Sequence, residues 1–264
     1  MEDVLTEAPP PSRISPEDLN NFSPKPPSLP LPILALKDFD YTQPLTPNLL
    51  VIALSEPSIQ IIHSISPKTL IGGLILPETS YAGNSLEPSI SDKSCGIYSL
   101  TSHPSTYLVS VQCEVDEERS NAVAKVLIGN RISPKHVLIL DSIKSRIFRG
   151  KLPPDETFAF KLETMAERRG SDPHILSDVG YFPCGSLVDG LAATLLIQCQ
   201  LKNIRGTLLL TWPVSGGSLL SLVMSLLFNN MSSDLRFMSQ CDNVRGFSEA
   251  SVSKGNLIDS DLYT

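Results

Sequence analysis

Residues 136–141 read HVLILD, and residues 206–212 read GTLLLTW. Neither run alternates between apolar and polar positions. A strand that is apolar at every position must be covered on both faces, which is the mark of a strand inside a parallel sheet. Residues 106–115, TYLVSVQCEV, are rich in β-branched side chains and read as a third strand. Helical patterns separate these runs. In DEERSNAVAKVLIGN (116–130) the acids fall in the first turn, Val123, Val126 and Leu127 share a face, and Gly129-Asn130 offers a left-handed stop. SLVDGLAATLLIQCQLKN (186–203) opens on a capping-box-like Ser186 and Asp189. Its apolar residues run nearly all the way round, which predicts burial on more than one side. SLLSLVMSLLF (218–228) predicts an equally apolar third helix.

The order strand, helix, strand, irregular excursion, helix, strand, helix predicts an α/β fold. Its sheet is mixed and partly parallel, with helices on both faces. Upstream, LLVIALS (49–55) and IQIIHSI (59–65) read as two further strands with Glu56, Pro57 and Ser58 turning between them. The excursion over 143–184 is expected to hold a short helix around 157–168. Three regions follow: a proline-rich, mostly disordered arm over 1–47, an α/β domain over 48–245, and a flexible polar tail over 246–264. Within the arm, residues 31–39 carry enough apolar side chains to lie along the domain as an edge segment.

The chain has 264 residues, a net charge of −7 and a pI near 5.1. No cluster of Lys and Arg could track a phosphate backbone, so nucleic acid is not an expected partner. Glu167-Arg168-Arg169 is mixed in sign and reads as solvated loop. The N-terminus lacks the basic and apolar regions of a signal peptide. The most apolar windows fall short of the ~20 residues that span a bilayer, so no membrane association is expected. Cys95, Cys113, Cys184, Cys199 and Cys241 never fall in C-x-x-C spacing, which fits neither a zinc site nor a disulfide framework. Cys113 and Cys199 sit in apolar runs and read as buried thiols. That usage fits a reducing compartment, cytosolic or nuclear.

A search for chemistry finds little. His63, His103, His136 and His174 fall in no metal or catalytic motif, and His63 and His136 read as structural or exposed. No cofactor and no metal are expected. Asp116, Glu117 and Glu118 read as partners of a helix dipole. Asp141 ends an apolar strand, where active sites of α/β sheets collect, but it stands alone. In TWPVSGGSLLSL (211–222) a strand leads through glycines to a helix start. Ser215, Gly216, Gly217 and Ser218 are placed for a small anion site, and with Asp141 they define one reading: an α/β enzyme of phosphorylase or hydrolase type. No lysine follows to neutralise a phosphate, so the same residues also read as turn geometry with Ser218 as N-cap.

The chain closes on Leu262, Tyr263 and Thr264, a hydrophobic–Tyr–any sequence. Burying one leucine contributes about 1.5–3 kcal/mol, and a hydrogen bond to a charged carboxylate about as much. Less the cost of ordering the tail, such a plug reaches affinities on the order of millimolar. It becomes useful once a docked body raises its effective concentration.

Three stretches together resemble the proteasome assembly chaperone 1 family. They are HVLILDSIKSRIFRGK (136–151), LVDGLAATLLIQCQLKNIRGTLLLTW (187–212) and the Leu262-Tyr263-Thr264 ending. The proline-rich arm departs from the animal members of that family. The resemblance implies a chaperone without enzymatic activity. It implies a heterodimer with a related chaperone of the proteasome assembly chaperone 2 kind. That dimer would bind α subunits of the 20S core particle, promote the α-ring and hinder off-pathway α-ring dimers. Leu262, Tyr263 and Thr264 would then enter a pocket between neighbouring α subunits, where a lysine meets the carboxylate.

Overall fold

The computed structural model describes residues 29–37, 43–85, 87–153, 156–170 and 174–213, with Leu222, Val223 and Ser225. The chain divides into two units, Met1–Pro30 and Leu31–Thr264. In the first, Leu29 and Pro30 are described and both are exposed. The second holds one eight-stranded sheet: β1 (Ile33–Leu36), β2 (Leu49–Ala53), β3 (Lys68–Ile75), β4 (Cys95–Leu100), β5 (Thr106–Val111), β6 (His136–Ser142), β7 (Phe158–Glu163) and β8 (Arg205–Trp212). Their spatial order is β1-β3-β4-β5-β2-β6-β8-β7. The four central strands, β5, β2, β6 and β8, run parallel, and both flanks are antiparallel. The sheet is therefore mixed, as the alternation of apolar runs predicts.

The central strands carry the continuous apolar runs because each face has its own cover. On one face, Leu50 and Ile52 of β2, Val137 and Ile139 of β6, and Leu208 and Leu210 of β8 pack under two helices. These are α2 (Glu117–Leu127) and α4 (Gly190–Leu201), which bring Val123, Leu127, Leu195 and Cys199. On the other face, Leu49, Val51, Leu138, Leu140 and Leu209 meet α1 (Glu56–Ser64) through Ile59, Ile61 and Ile62. Leu176, Val179 and Val223 extend that second core. Close approach is built in at Gly206: a Cβ there would come 3.0 Å from the Cβ of Cys199 on α4.

Several expectations need correction. Residues 59–65 form most of a helix, not a strand. Within the helix Pro57, Ser58, Ile59, Ile61 and Ile62 are buried, and Pro57 with Ile61 and Ser58 with Ile62 stand four residues apart on one face. Pro57 stands in the first turn, where its missing N–H costs nothing. Residues 158–163 form strand β7 rather than helix; α3 (Met165–Arg169) starts only after Thr164. FAFKLE alternates with period two, and it pairs antiparallel along β8 from Phe158↔Trp212 to Glu163↔Thr207. Glu167 is not in solvated loop: it lies in α3 and is fully buried. α4 begins at Gly190, in the left-handed conformation (φ 62), and not near Ser186. Ser186 Oγ instead accepts the Arg149 N–H at 2.8 Å. Ile197 and Leu201 of α4 are exposed, so its apolar surface is covered on one side only.

β3 and β4 are additional to the strands read from the sequence. The sheet also takes in β1, inside the proline-rich stretch, paired with β3 from Ile33↔Ile75 to Leu36↔Gly72. Leu45 bridges Ile132 beyond it. Of the expected helix at 218–228, Leu222, Val223 and Ser225 are described and helical, and the rest lies outside the described residues.

Candidate functional site

Ligands of parallel sheets collect at the carboxyl ends of the strands. Here that edge is formed by the ends of β6 and β8. Asp141 and Ser142 close β6, and Asp141↔Leu210 and Ser142↔Thr211 are the last register pairs. Beyond Ser142 the chain passes Lys144 and a short 3₁₀ turn, Ser145–Ile147. That segment is pinned to the lead-in of α4 by the Leu187 N–H, which donates to the Ile147 carbonyl at 3.0 Å. Asp189 bonds the Lys144 ammonium, and Arg146 Nη2 lies 3.1 Å from its other oxygen. Burial alone would raise the Asp189 carboxyl, but the hydrogen bonds and charges of Lys144 and Arg146 outweigh it and hold it low.

Between these segments lies a shallow cleft open to solvent, lined by Asp141, Ser142, Lys144, Phe182, Val188 and Asp189 among others. Asp141 accepts the Ser142 N–H at 2.8 Å. Burial pushes its carboxyl up to about 6, against the lowering effect of that bond and of Lys144. Ser142 Oγ is buried and has no hydrogen-bond partner. The cleft thus offers one carboxyl near its titration point, one spare hydroxyl and one paired ammonium. The space it encloses, about 10 Å³, is close to what one water needs. A water or a single side chain fits it better than a cofactor.

The opposite edge of the sheet is chemically denser. Glu167 of α3 faces the first residues of β6 and β8. Arg205 Nε donates to Glu167 Oε2 at 2.7 Å and Arg205 Nη2 to Oε1 at 3.2 Å. His136 Nε2 bonds Oε2, the Ile175 N–H donates to Oε1 at 3.3 Å, and His174 Nδ1 lies 3.5 Å from Oε1. Burial would raise this carboxyl, yet the bonds and charges of His136 and Arg205 bring it down to about 2. Thr164 supports the arrangement: its Oγ1 accepts the Glu167 and Gly206 N–H groups and donates to the Ile204 carbonyl. Both Glu167 carboxylate oxygens are engaged, so this cluster ties two strands and a helix together.

His136 is structural, as its place before a strand suggests. His63, at the end of α1, lies 3.4 Å from Gln112 Oε1, and burial pushes its pKa down. Asp116 is the N-cap residue of α2, with Glu117 and Glu118 in its first turn. Cys113 and Cys199 are buried. Ser215, Gly216, Gly217 and Ser218, and the tail residues Leu262, Tyr263 and Thr264, lie outside the described residues. Among the described residues no group of three or more His, Cys, Asp or Glu side chains is placed to hold a metal ion. No described helix is long and apolar enough to cross a membrane.

The Glu167 cluster escapes a reading of the sequence, because its members are 31 and 38 positions apart. The one local signal is Thr164 three residues before Glu167, the spacing of a capping box.

No protein-family model matches the chain, and no curated protein sequence matches it. Solved structures do. The chain is similar to Pyrococcus furiosus PbaA, described as an archaeal homolog of proteasome-assembly chaperone. In its monoclinic form the identity is 13%, the TM-score 0.55, and the match covers 82% of this chain and 90% of that one. A second PbaA crystal structure gives 14% identity and a TM-score of 0.53, covering 77% and 97%. A Thermoplasma acidophilum protein of unknown function matches at 13% identity and a TM-score of 0.50, covering 78% and 84%. At such identities the likeness defines a class by fold alone: an α/β chain folded like these archaeal proteins.

Proposed function

We propose that this protein is a chaperone of 20S proteasome assembly. The observation that carries the reading is the fold shared with an archaeal homolog of proteasome-assembly chaperone over 82% of this chain and 90% of that one. The reading is non-enzymatic, and it places the protein in the cytosol or nucleus. It works as a heterodimer with a related chaperone of the proteasome assembly chaperone 2 kind. The pair binds proteasome α subunits, promotes the α-ring and blocks off-pathway α-ring dimers. Leu262, Tyr263 and Thr264 dock between neighbouring α subunits, with Leu262 buried, the Tyr263 hydroxyl hydrogen-bonded and the Thr264 carboxylate meeting a lysine.

The test is affinity capture from a soluble cell extract, with the full chain beside a copy ending at Asp261 and mass spectrometry of what binds. A related chaperone and α subunits should come down with the full chain. The α subunits should fall away with the shortened copy while the partner chaperone stays. If neither copy captures either class of protein, the assembly reading fails.

A second reading rests on Asp141, whose carboxyl at about 6 sits at the edge where α/β enzymes place acids. It predicts an activity lost in Asp141→Asn and in Ser215→Ala with Gly217→Ala, and unaffected by removal of Leu262, Tyr263 and Thr264.

A further inference from the structure

Two cysteines that the proposed function does not use lie side by side. Cys95 opens β4 and pairs across the sheet with Val111, the last residue of β5. Cys113 lies two residues beyond Val111. Since side chains alternate along a strand, Cys95, Val111 and Cys113 project to the same face. The strand pairing runs one step further, with the Gln112 N–H donating to the Ser94 carbonyl at 3.0 Å. That bond keeps both backbones in register where the thiols meet. Their sulfurs are 2.9 Å apart, within about 1 Å of bonding distance. Both are free thiols. Cys199, by contrast, is buried alone and its thiol is pushed up to about 12.

The segments around the pair are held from several sides. Asp92 accepts the Ser85 and Ser89 N–H groups at 2.9 Å each, which fixes the loop leading to β4. Tyr81 hydroxyl accepts the Leu76 N–H at 2.7 Å. Arg119 of α2 bonds Glu78 at 2.5 and 3.1 Å. The thiols are therefore kept together by the fold and do not meet by chance rotation of free side chains.

We propose that Cys95 and Cys113 are a reversible dithiol–disulfide pair, oxidised by a low-molecular-weight disulfide such as glutathione disulfide and tying the start of β4 to the lead-in of α2. Cys113 is the attacking sulfur because it is the more accessible, 7% exposed against 1% for Cys95. The hydrogen bond from Cys95 also favours its thiolate, holding the Cys113 thiol below its ordinary range. The Cys113 thiolate attacks glutathione disulfide. The glutathione S–S bond breaks, a mixed disulfide forms on Cys113, and one glutathione leaves with the proton Cys113 gave up. Cys95 then loses its proton and attacks the Cys113 sulfur. The mixed disulfide breaks, the Cys95–Cys113 bond forms, and the second glutathione leaves. Two thiols are oxidised and one disulfide is reduced. A reducing glutathione pool runs the same steps backwards.

The test uses the full chain with Cys184→Ser and Cys241→Ser, so that Cys95, Cys113 and Cys199 remain. The protein is equilibrated over a series of glutathione to glutathione-disulfide ratios, unfolded in acid, alkylated and weighed. The expected oxidised form is lighter by two hydrogen atoms than the reduced one. It takes up one alkyl group instead of three, and a peptide map joins the two segments through Cys95 and Cys113. Adding Cys95→Ser should leave Cys113 carrying a glutathione adduct with no internal bond. Three alkylatable thiols at every ratio overturn the proposal, as do separate glutathione adducts on both cysteines. The central measurement leaves the pair itself unaltered, so it does not depend on whether Cys95→Ser folds.

Discussion

Glu167 and Asp141 stand at opposite ends of the same two central strands, and their surroundings treat the same functional group in opposite ways. At the amino ends, Glu167 is fully buried and yet strongly acidic, because His136, Arg205 and the Ile175 N–H surround it. At the carboxyl ends, Asp141 has one backbone N–H, and the nearby Lys144 is already engaged with Asp189. Desolvation wins at Asp141, and partners win at Glu167. One edge is a completed clamp. The other keeps an incompletely satisfied carboxyl and a spare Ser142 hydroxyl beside a cleft. In parallel sheets, completed polar clusters at the amino edge serve stability, and unfinished ones at the carboxyl edge are available for binding.

Removing the clamp should have the largest effect. Glu167→Ala leaves Arg205 and His136 without their shared carboxylate, and should cost about 3–5 kcal/mol in urea unfolding at neutral pH. A loss below ~1 kcal/mol would remove the distinction between the two edges.

The pH dependence of stability sharpens the contrast. The Glu167 carboxyl is lowered from 4.5 to about 2. Its contribution is therefore fully present above the unfolded value and lost as pH falls through the folded one, and amounts to on the order of 3 kcal/mol. The Asp141 carboxyl is raised from 3.8 to about 6. Its contribution has the other sign: present below the unfolded value, and lost as pH rises through about 6. Unfolding free energies at pH 3, 5 and 8 should show the acid loss vanish in Glu167→Ala and the neutral-side loss vanish in Asp141→Asn.

Asp141→Asn should be near neutral at pH 4 and stabilising by about 1–2 kcal/mol at pH 8, because an amide accepts the Ser142 N–H without the cost of a buried charge. Destabilisation at pH 8 would show that the ionised carboxylate is needed in the fold. The smallest effect is expected at Asp189→Ala, under about 1 kcal/mol, because Lys144 and Arg146 are largely exposed. Added salt should shrink it further, whereas the Glu167→Ala cost should barely respond.

The central sheet was legible because strands covered on both faces must be apolar at every position, and 106–111, 136–142 and 205–212 have no other use for such runs. Helix α2 was legible from its 3.6-residue spacing and the acids in its first turn, and α4 from a continuous apolar run too long for a strand, although its start at Gly190 was not. Residues 59–65 were not, since a short isoleucine-rich run fits strand and helix alike until Pro57 and the buried set around it are seen in space. FAFKLE was ambiguous for the same reason, and its neighbour β8 decides it. β3 and β4 have weak signals because Gly72 and Gly73 dilute the first and Gly96 the second. Local chemistry thus determined where the chain is apolar and with what period, which sets the class of fold and its central strands. The tertiary structure alone decided which edge strands join the sheet, that Glu167 is buried, that Asp141 keeps its proton to about pH 6, and that Cys95 meets Cys113. Each of these depends on groups brought together from distant positions in the chain. Their energies come from burial and from partners that the sequence around any one of them does not contain.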